Sequence, residues 1–284
     1  MHALPFLLAL VSAAILAPAV LRMLGEGGHT QANYRECMLP YPFGMLIVVA
    51  ALLALIPLAL LQRLAGSDVF HPEVIPIAVY ALGVAMLGLI DDTLAEGHVG
   101  VSGPSTTRRG WRGHGRAALR GELSTGALKA AGSLGLALFA MSFEGLSKPR
   151  WLLAAGVLVL ATNAFNLLDL RPGRATKAFV LLGAGLTLGS LDLRPLWALG
   201  LFAAPVLVAG TYDLRERAML GDTGANLLGA LAGLWLVLTL SGTGQLIALA
   251  LLLAITLYGE LRSISALVER TPGLRALDSW GRPS

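Results

Sequence analysis

Apolar residues recur in long runs along the whole chain, separated by short polar connections. Nine runs stand out, at roughly 3–24, 43–65, 73–91, 123–142, 150–168, 175–190, 195–211, 221–240 and 244–261. Most approach the ~20 residues that an α-helix needs to cross a bilayer, and the sixth and seventh are short. The pattern predicts an all-α polytopic membrane protein, a bundle of about nine transmembrane helices. Ala17-Pro18-Ala19 resembles a signal-peptide cleavage site. The run before it has no positive n-region, and its first arginine, Arg22, follows the apolar stretch, so it reads as a retained helix.

Lysines and arginines orient the bundle. Of the 21, sixteen fall on the odd-numbered connections and the C-terminal tail, four on the even connections, and Lys129 lies within a run. The odd connections are therefore expected to be cytoplasmic, with the N-terminus outside and the tail 262–284 inside. Because the basic residues follow topology, no nucleic-acid partner is expected. Composition agrees: the chain is 56% hydrophobic and 13% charged. A soluble protein carries nearly twice that charged share. No polar stretch is long enough for a separate soluble domain, so residues 1–284 read as one integral membrane domain. The 34 glycines suit close helix contacts in lipid. Cys37 is the only cysteine, which excludes an intrachain disulfide.

The acidic and amide residues fall on the same side. Asp91 and Asp92 end the third run; Asn163, Asn166 and Asp169 end the fifth; Asp222 opens the eighth. Charged groups at membrane depth are costly and point to function. Adjacent carboxylates repel unless a cation or donor holds them, and Mg²⁺ carrying a phosphate is the obvious partner at a membrane surface. Asn163-Ala-Phe-Asn166-Leu-Leu-Asp169 spaces its polar residues by three, which places them near one helical face. A polar helix end facing water explains that set equally well. Gly221-Asp222-Thr223-Gly224 starts a helix, where glycines admit close approach and the N-terminus favours anions. Alone, Asp222 is better read as a helix N-cap; in company it becomes a metal-ligand candidate. The basic loop Arg108–Arg116 contains His114; topology explains most of its arginines, with a phosphate clamp as the functional alternative. Lys129 lies one turn inside the fourth run, where it either snorkels or pairs with a phosphate or the carboxylates.

Gly88-Leu-Ile-Asp-Asp92, the Asn163/Asn166/Asp169 set and Gly221-Asp222-Thr-Gly224 stand in the order of three signature motifs. Together they resemble the polyprenyl-phosphate N-acetylhexosamine-1-phosphate transferase superfamily. That group includes the translocase that makes the first lipid-linked peptidoglycan intermediate. Asn33-Tyr34-Arg35 with Pro40 and Gly44 is similar to its first cytoplasmic loop, so the likeness spans about residues 30–230. The resemblance implies transfer of a sugar-1-phosphate from a UDP-sugar to polyprenyl phosphate, with release of UMP, in cell-envelope glycan synthesis. It implies Mg²⁺ (or Mn²⁺) held by Asp222 and Asn166, and catalytic roles for Asp91, Asp92, Asp169 and Asp222. Substrate contacts would come from Asn163, Asn166, Lys129, Arg171, Arg174, Asn33 and Arg35. A homodimer in the plasma membrane, with a cytoplasmic active site, is also implied.

The pattern departs from the family in three places. Leu170 stands where a glycine usually follows the Asn/Asn/Asp set, and Arg171 and Arg174 follow it, which suggests an altered anion site. All five histidines, the last being His114, precede the place of the family's sugar-selecting histidine motif. A tenth run is absent, and the tail reads as an interfacial helix or a plain cytoplasmic extension. These departures give weight to an altered or inactive descendant that binds a lipid-linked sugar or scaffolds envelope assembly. The full set of carboxylates weighs against it. An intramembrane prenyltransferase fits the spacing of neither Asp91-Asp92 nor the Asn163 set.

Overall fold

The computed structural model describes residues 1–95 and 125–283. Among the described residues, nine helices of 17 to 23 residues fall on the nine apolar runs. They are α1 (Leu4–Glu26), α2 (Met45–Leu64), α3 (Val74–Ala95), α4 (Thr125–Met141), α5 (Lys148–Leu168), α6 (Arg174–Ser190), α7 (Arg194–Leu214), α8 (Gly221–Thr239) and α9 (Gly242–Leu261). Prolines open α1, α5 and α7, where the ring is already in helical conformation and no N–H is needed. Seven of the nine, all but α4 and α6, are long and apolar enough to cross a membrane. The protein is thus an all-α polytopic membrane protein. The short members differ from expectation. α7 extends to Leu214 and reaches 21 residues, whereas α4 and α6 have 17 each.

α8 is the axis. Of its membrane-length window 83% is buried, against 28% for α1 and 22% for α9. It packs on α3 and α5 most extensively and on α6 and α7 besides. Its wall of Gly, Ala and Leu lets those helices approach closely, the usual basis of helix association in lipid. Around it, α1 packs on α7 and α2, α4 on α3, and α9 on α5. Leu52, Ile56 and Leu60 of α2 and Leu246, Ile247 and Leu251 of α9 point outward. Apolar side chains on that surface suit acyl chains.

The described connections sort to two ends of the bundle. At one end His2 meets His71, Glu73 and Glu144 flank a shared pocket, and Arg150 lies over Gly242. At the other, a small antiparallel hairpin, β1 (Thr30–Ala32) and β2 (Met38–Pro40), follows α1. Asn33 builds its turn: the side-chain Oδ1 accepts the N–H groups of Arg35 and Cys37 at 2.8 and 3.0 Å. The hairpin is tied to the α7–α8 loop by Phe43 N–H to Met219 O and Met219 N–H to Pro40 O. Beyond α9 the tail folds into two short helices, α10 (Ile264–Arg270) and α11 (Pro272–Ser279).

Candidate functional site

The site grows from the end of α3. Gly88 lets α3 approach α8, because a Cβ there would stand 2.5 Å from the Asp222 carbonyl oxygen. One turn later come Asp91 and Asp92, about 100° apart around the helix. That angle sends them to different partners.

Asp92 turns inward and is 2% exposed. Its Oδ1 accepts the Asp222 N–H at 2.8 Å and its Oδ2 the Thr223 N–H at 2.8 Å and the Thr223 hydroxyl at 2.6 Å. The Tyr41 hydroxyl also donates to Oδ1. Burial, and then the charge of Asp92, push the Tyr41 hydroxyl far above its ordinary range, so it stays a donor. Asp92 therefore caps α8 from a neighbouring helix, where N–H groups and the helix dipole favour a negative charge. Gly221 makes room: its φ is 71°, and a Cβ would meet Asp92 Oδ2 at 2.9 Å.

Asp91 faces α4. The Lys129 ammonium lies between two carboxylates, donating to Asp91 Oδ2 at 2.8 Å and to Asp222 Oδ2. All three side chains keep between 21% and 31% of their surface open. The lysine thus pairs with the acids rather than snorkelling away.

The α5 set divides. Each step of three residues falls about 60° short of a full turn, so a stripe of two steps rotates by about 120°. Asn166 points to α8 and donates to Asn226 Oδ1 at 2.9 Å. Asn163 points to α9 and donates to the buried Thr256 hydroxyl at 3.2 Å. Asp169 caps α5. Burial, then the nearby charges of Asp213, Asp222 and Asp92, push its carboxyl well above the ordinary range, with Arg174 acting in the opposite sense.

Four residues to which the sequence assigned no site role complete the arrangement, Thr223 and Asn226 from the Gly221–Asn226 stretch among them. Tyr41 and Thr223 hold Asp92. Asn226, one turn along α8 from Asp222, receives Asn166; its spacing of four from Asp222 is a signal that places both near one face. Asp213, 4% exposed near the end of α7, accepts the Gly173 N–H at 2.6 Å and the Leu220 N–H. It thereby ties the loop after Asp169 to the start of α8. An acidic residue closing an apolar run was its one trace in the sequence.

The remaining candidates find partners within the chain. Asn33 is 8% exposed and, besides its turn bonds, donates to Glu216. Arg35 pairs with Glu216 at 3.6 Å and donates to the Pro283 carbonyl. Arg171 stacks on Tyr34 and bonds Glu269 at 3.1 Å. Arg174, 7% exposed, grips Asp278 with two nitrogens at 2.8 and 3.2 Å. Lys177 donates to the carbonyls of Leu277, Asp278 and Trp280, and Arg282 joins Asp278 to Pro172 O. The turn after Asp169 is thus a docking place for the protein's own tail. Burial would raise the Asp278 carboxyl, but the two arginines outweigh it and hold it below the ordinary range. Behind Arg174, an apolar pocket of about 520 Å³ lies among Leu168, Leu181, Leu251, Ile255 and Leu277. The loop Arg108–Arg116 and His114 lie outside the described residues.

A divalent cation can be tested against this donor set. Among the described residues no three His, Cys, Asp or Glu cluster tightly enough to cage a metal. Mg²⁺ does not need a cage: it is commonly held by one or two carboxylates plus substrate phosphates and water. Asp91 and Asp222 already turn one oxygen each onto a single cationic atom, and both remain partly open, so the pair fits. Asn166, on α5, meets Asn226 one turn farther along α8 from Asp222. No family model matches the chain, and no curated protein is significantly similar to it in sequence.

Proposed function

We propose that this protein transfers a sugar-1-phosphate, of the N-acetylhexosamine class, from a UDP-sugar to polyprenyl phosphate. The observation that carries the reading is the convergence of Asp91, Lys129 and Asp222. Three helices far apart in sequence bring two carboxylates and an ammonium to one partly open point, beside Asp169 and the Asn166–Asn226 pair. The ordered motif set, resembling the polyprenyl-phosphate sugar-1-phosphate transferases, supplies the reaction class.

In this reading all nine long helices span the plasma membrane, with the N-terminus outside and the site on the cytoplasmic face. The first, fifth and seventh connections and the tail gather at that end. A phosphate oxygen of the lipid attacks the β-phosphorus of the UDP-sugar. A new P–O bond forms, the bond to the UMP oxygen breaks, and UMP leaves. Asp222 and Asp91 would hold Mg²⁺, which when bound offsets the charge of the two anionic substrates. Lys129 supplies the positive charge at that point when no metal is bound. Asp92 contributes by fixing the start of α8, and Asp213 by fixing the loop that carries Asp169. Asn166 and Asn226 offer amide groups beside the phosphates. Asp169, whose carboxyl is inclined to keep a proton, can exchange one with the lipid phosphate. The apolar pocket beside Leu168 offers the prenyl chain a place one residue from Asp169. A homodimer accords with the resemblance.

The test is UMP release by purified protein with Mg²⁺, polyprenyl phosphate and a panel of UDP-sugars. Release that requires the lipid and is abolished by Asp222→Asn and by metal removal is the expected result. No release with any donor from a folded sample would overturn the reading. One observation favours a second reading, a descendant that binds lipid-linked sugar without turning it over. Arg171 and Arg174, the arginines of the altered turn, are engaged by the tail. Binding of a lipid-linked sugar without UMP release would identify that descendant.

A further inference from the structure

Among the described residues Lys129 is the one ammonium placed within the carboxylate group, and its position has a consequence for metal binding. Asp91 comes from α3 and Asp222 from α8, yet their Oδ2 atoms meet the same Nζ. Without a cation between them they would repel. A third carboxylate, Asp92, adds negative charge from the inner side, and Asp169 is close enough to feel Asp222. An ammonium is a compact point charge on a flexible stem, so it can fill such a gap and also leave it.

We propose that Lys129 is the resident counter-ion of this site: it holds Asp91 and Asp222 together in the metal-free protein and competes with a divalent cation for the same two oxygens. The inference rests on the reading of this point as a metal site, and extends it by giving the lysine an opposing role. Metal binding requires the ammonium to give way. The site then never stands as a bare carboxylate pair, and the lysine sets the metal concentration at which it loads. Lys129 is a positioning residue here, acting on the two acids and not on any reacting atom.

Two measurements on substrate-free protein test this. In the first, Mg²⁺ or Mn²⁺ is titrated while thermal unfolding is followed, for wild type, Lys129→Met and Lys129→Gln. Both variants should be less stable without metal. Both should reach half of their metal-induced stabilisation at a concentration at least tenfold lower than wild type. A midpoint equal to or higher than that of wild type, or no metal response in any of the three, overturns the inference. A residue that merely supported the fold would lower the metal-free transition without sharpening the metal response.

The second measurement uses wild type alone, so it stands if the variants fail to fold. Acylation of Lys129 by a water-soluble amine reagent is read by peptide mass spectrometry, with and without Mg²⁺, in a buffer free of phosphate. Release of the ammonium should raise its labelling several-fold when metal is present. Unchanged or slower labelling overturns the exchange. Neither measurement reads UMP, so failure of the transferase reading and failure of this inference are told apart.

Discussion

Asp91→Asn and Asp92→Asn are adjacent, chemically identical changes, and the structure assigns them unequal costs in stability. Asp92 receives donors from Asp222 N–H, Thr223 N–H, the Thr223 hydroxyl and the Tyr41 hydroxyl. An asparagine keeps one oxygen but turns an NH₂ toward two former donors. At least one backbone N–H at the start of α8 loses its partner in a buried setting, and the hydroxyls must swing away. Hydrogen bonds to charged groups contribute about 1.5–3 kcal/mol each. Losing two, offset in part by the relief of an uncharged side chain in a buried place, gives a net cost of about 3 kcal/mol. For a chain of this size that corresponds to a fall in Tm of about 6–12 °C. Asp91, about one-fifth exposed with its ion pair to Lys129, should lose less than about 1 kcal/mol. Tryptophan-fluorescence melting of detergent-purified variants reads both. UMP release should fall strongly in each, through a displaced Asp222 for Asp92→Asn and through charge at the cation site for Asp91→Asn. An Asp92→Asn protein that melts like wild type and yet releases no UMP would refute the anchor and return Asp92 to the reacting groups.

Other outcomes follow from the same geometry. Asp222→Asn should abolish UMP release while preserving the fold, because Lys129 keeps Asp91 as its partner; a lost fold would contradict this. Gly221→Ala meets a φ of 71° and a Cβ contact of 2.7 Å with Pro42, so it should cost about 2–4 kcal/mol in melting experiments. Asp278→Asn should loosen the tail, read as faster tryptic cleavage at Arg275, without lowering the melting of the helical bundle. The folded Asp278 carboxyl lies below its ordinary value, so its contribution is fully present above about pH 3.9 and is lost as pH falls through the lower folded value. Hydrogen exchange over 272–280 should stay slow from pH 8 to about pH 4 and rise below it.

The sequence by itself determined the helices, because twenty-residue apolar runs have few other solutions in lipid. Their ends were placed within about four residues; the largest differences are at α3, which runs on to Ala95, and at α7, whose continuation through Tyr212 and Asp213 is not apolar. Charge bias along the chain also placed Asp91, Asp92, Asp169 and Asp222 at one end, and the hairpin and tail contacts gather there in the structure. Both signals are local, a matter of which residues follow which. What each side chain meets around a helix is not local. Asp91 and Asp92 read as one unit in sequence, but one faces a lysine and the other a helix N-terminus. Asn163 and Asn166 read as one face, yet the drift of a three-residue spacing gives them to different helices. The arginines after Asp169 read as an anion site until the tail, about a hundred residues on, folded back and took them. Asp213, Tyr41, Thr223 and Asn226 had little or no signal of their own, because their partners are main-chain groups and amides on distant elements. Only tertiary packing, set by close approach along Gly88 and the buried α8, decides which of several identical acids holds the fold and which is left facing a cation.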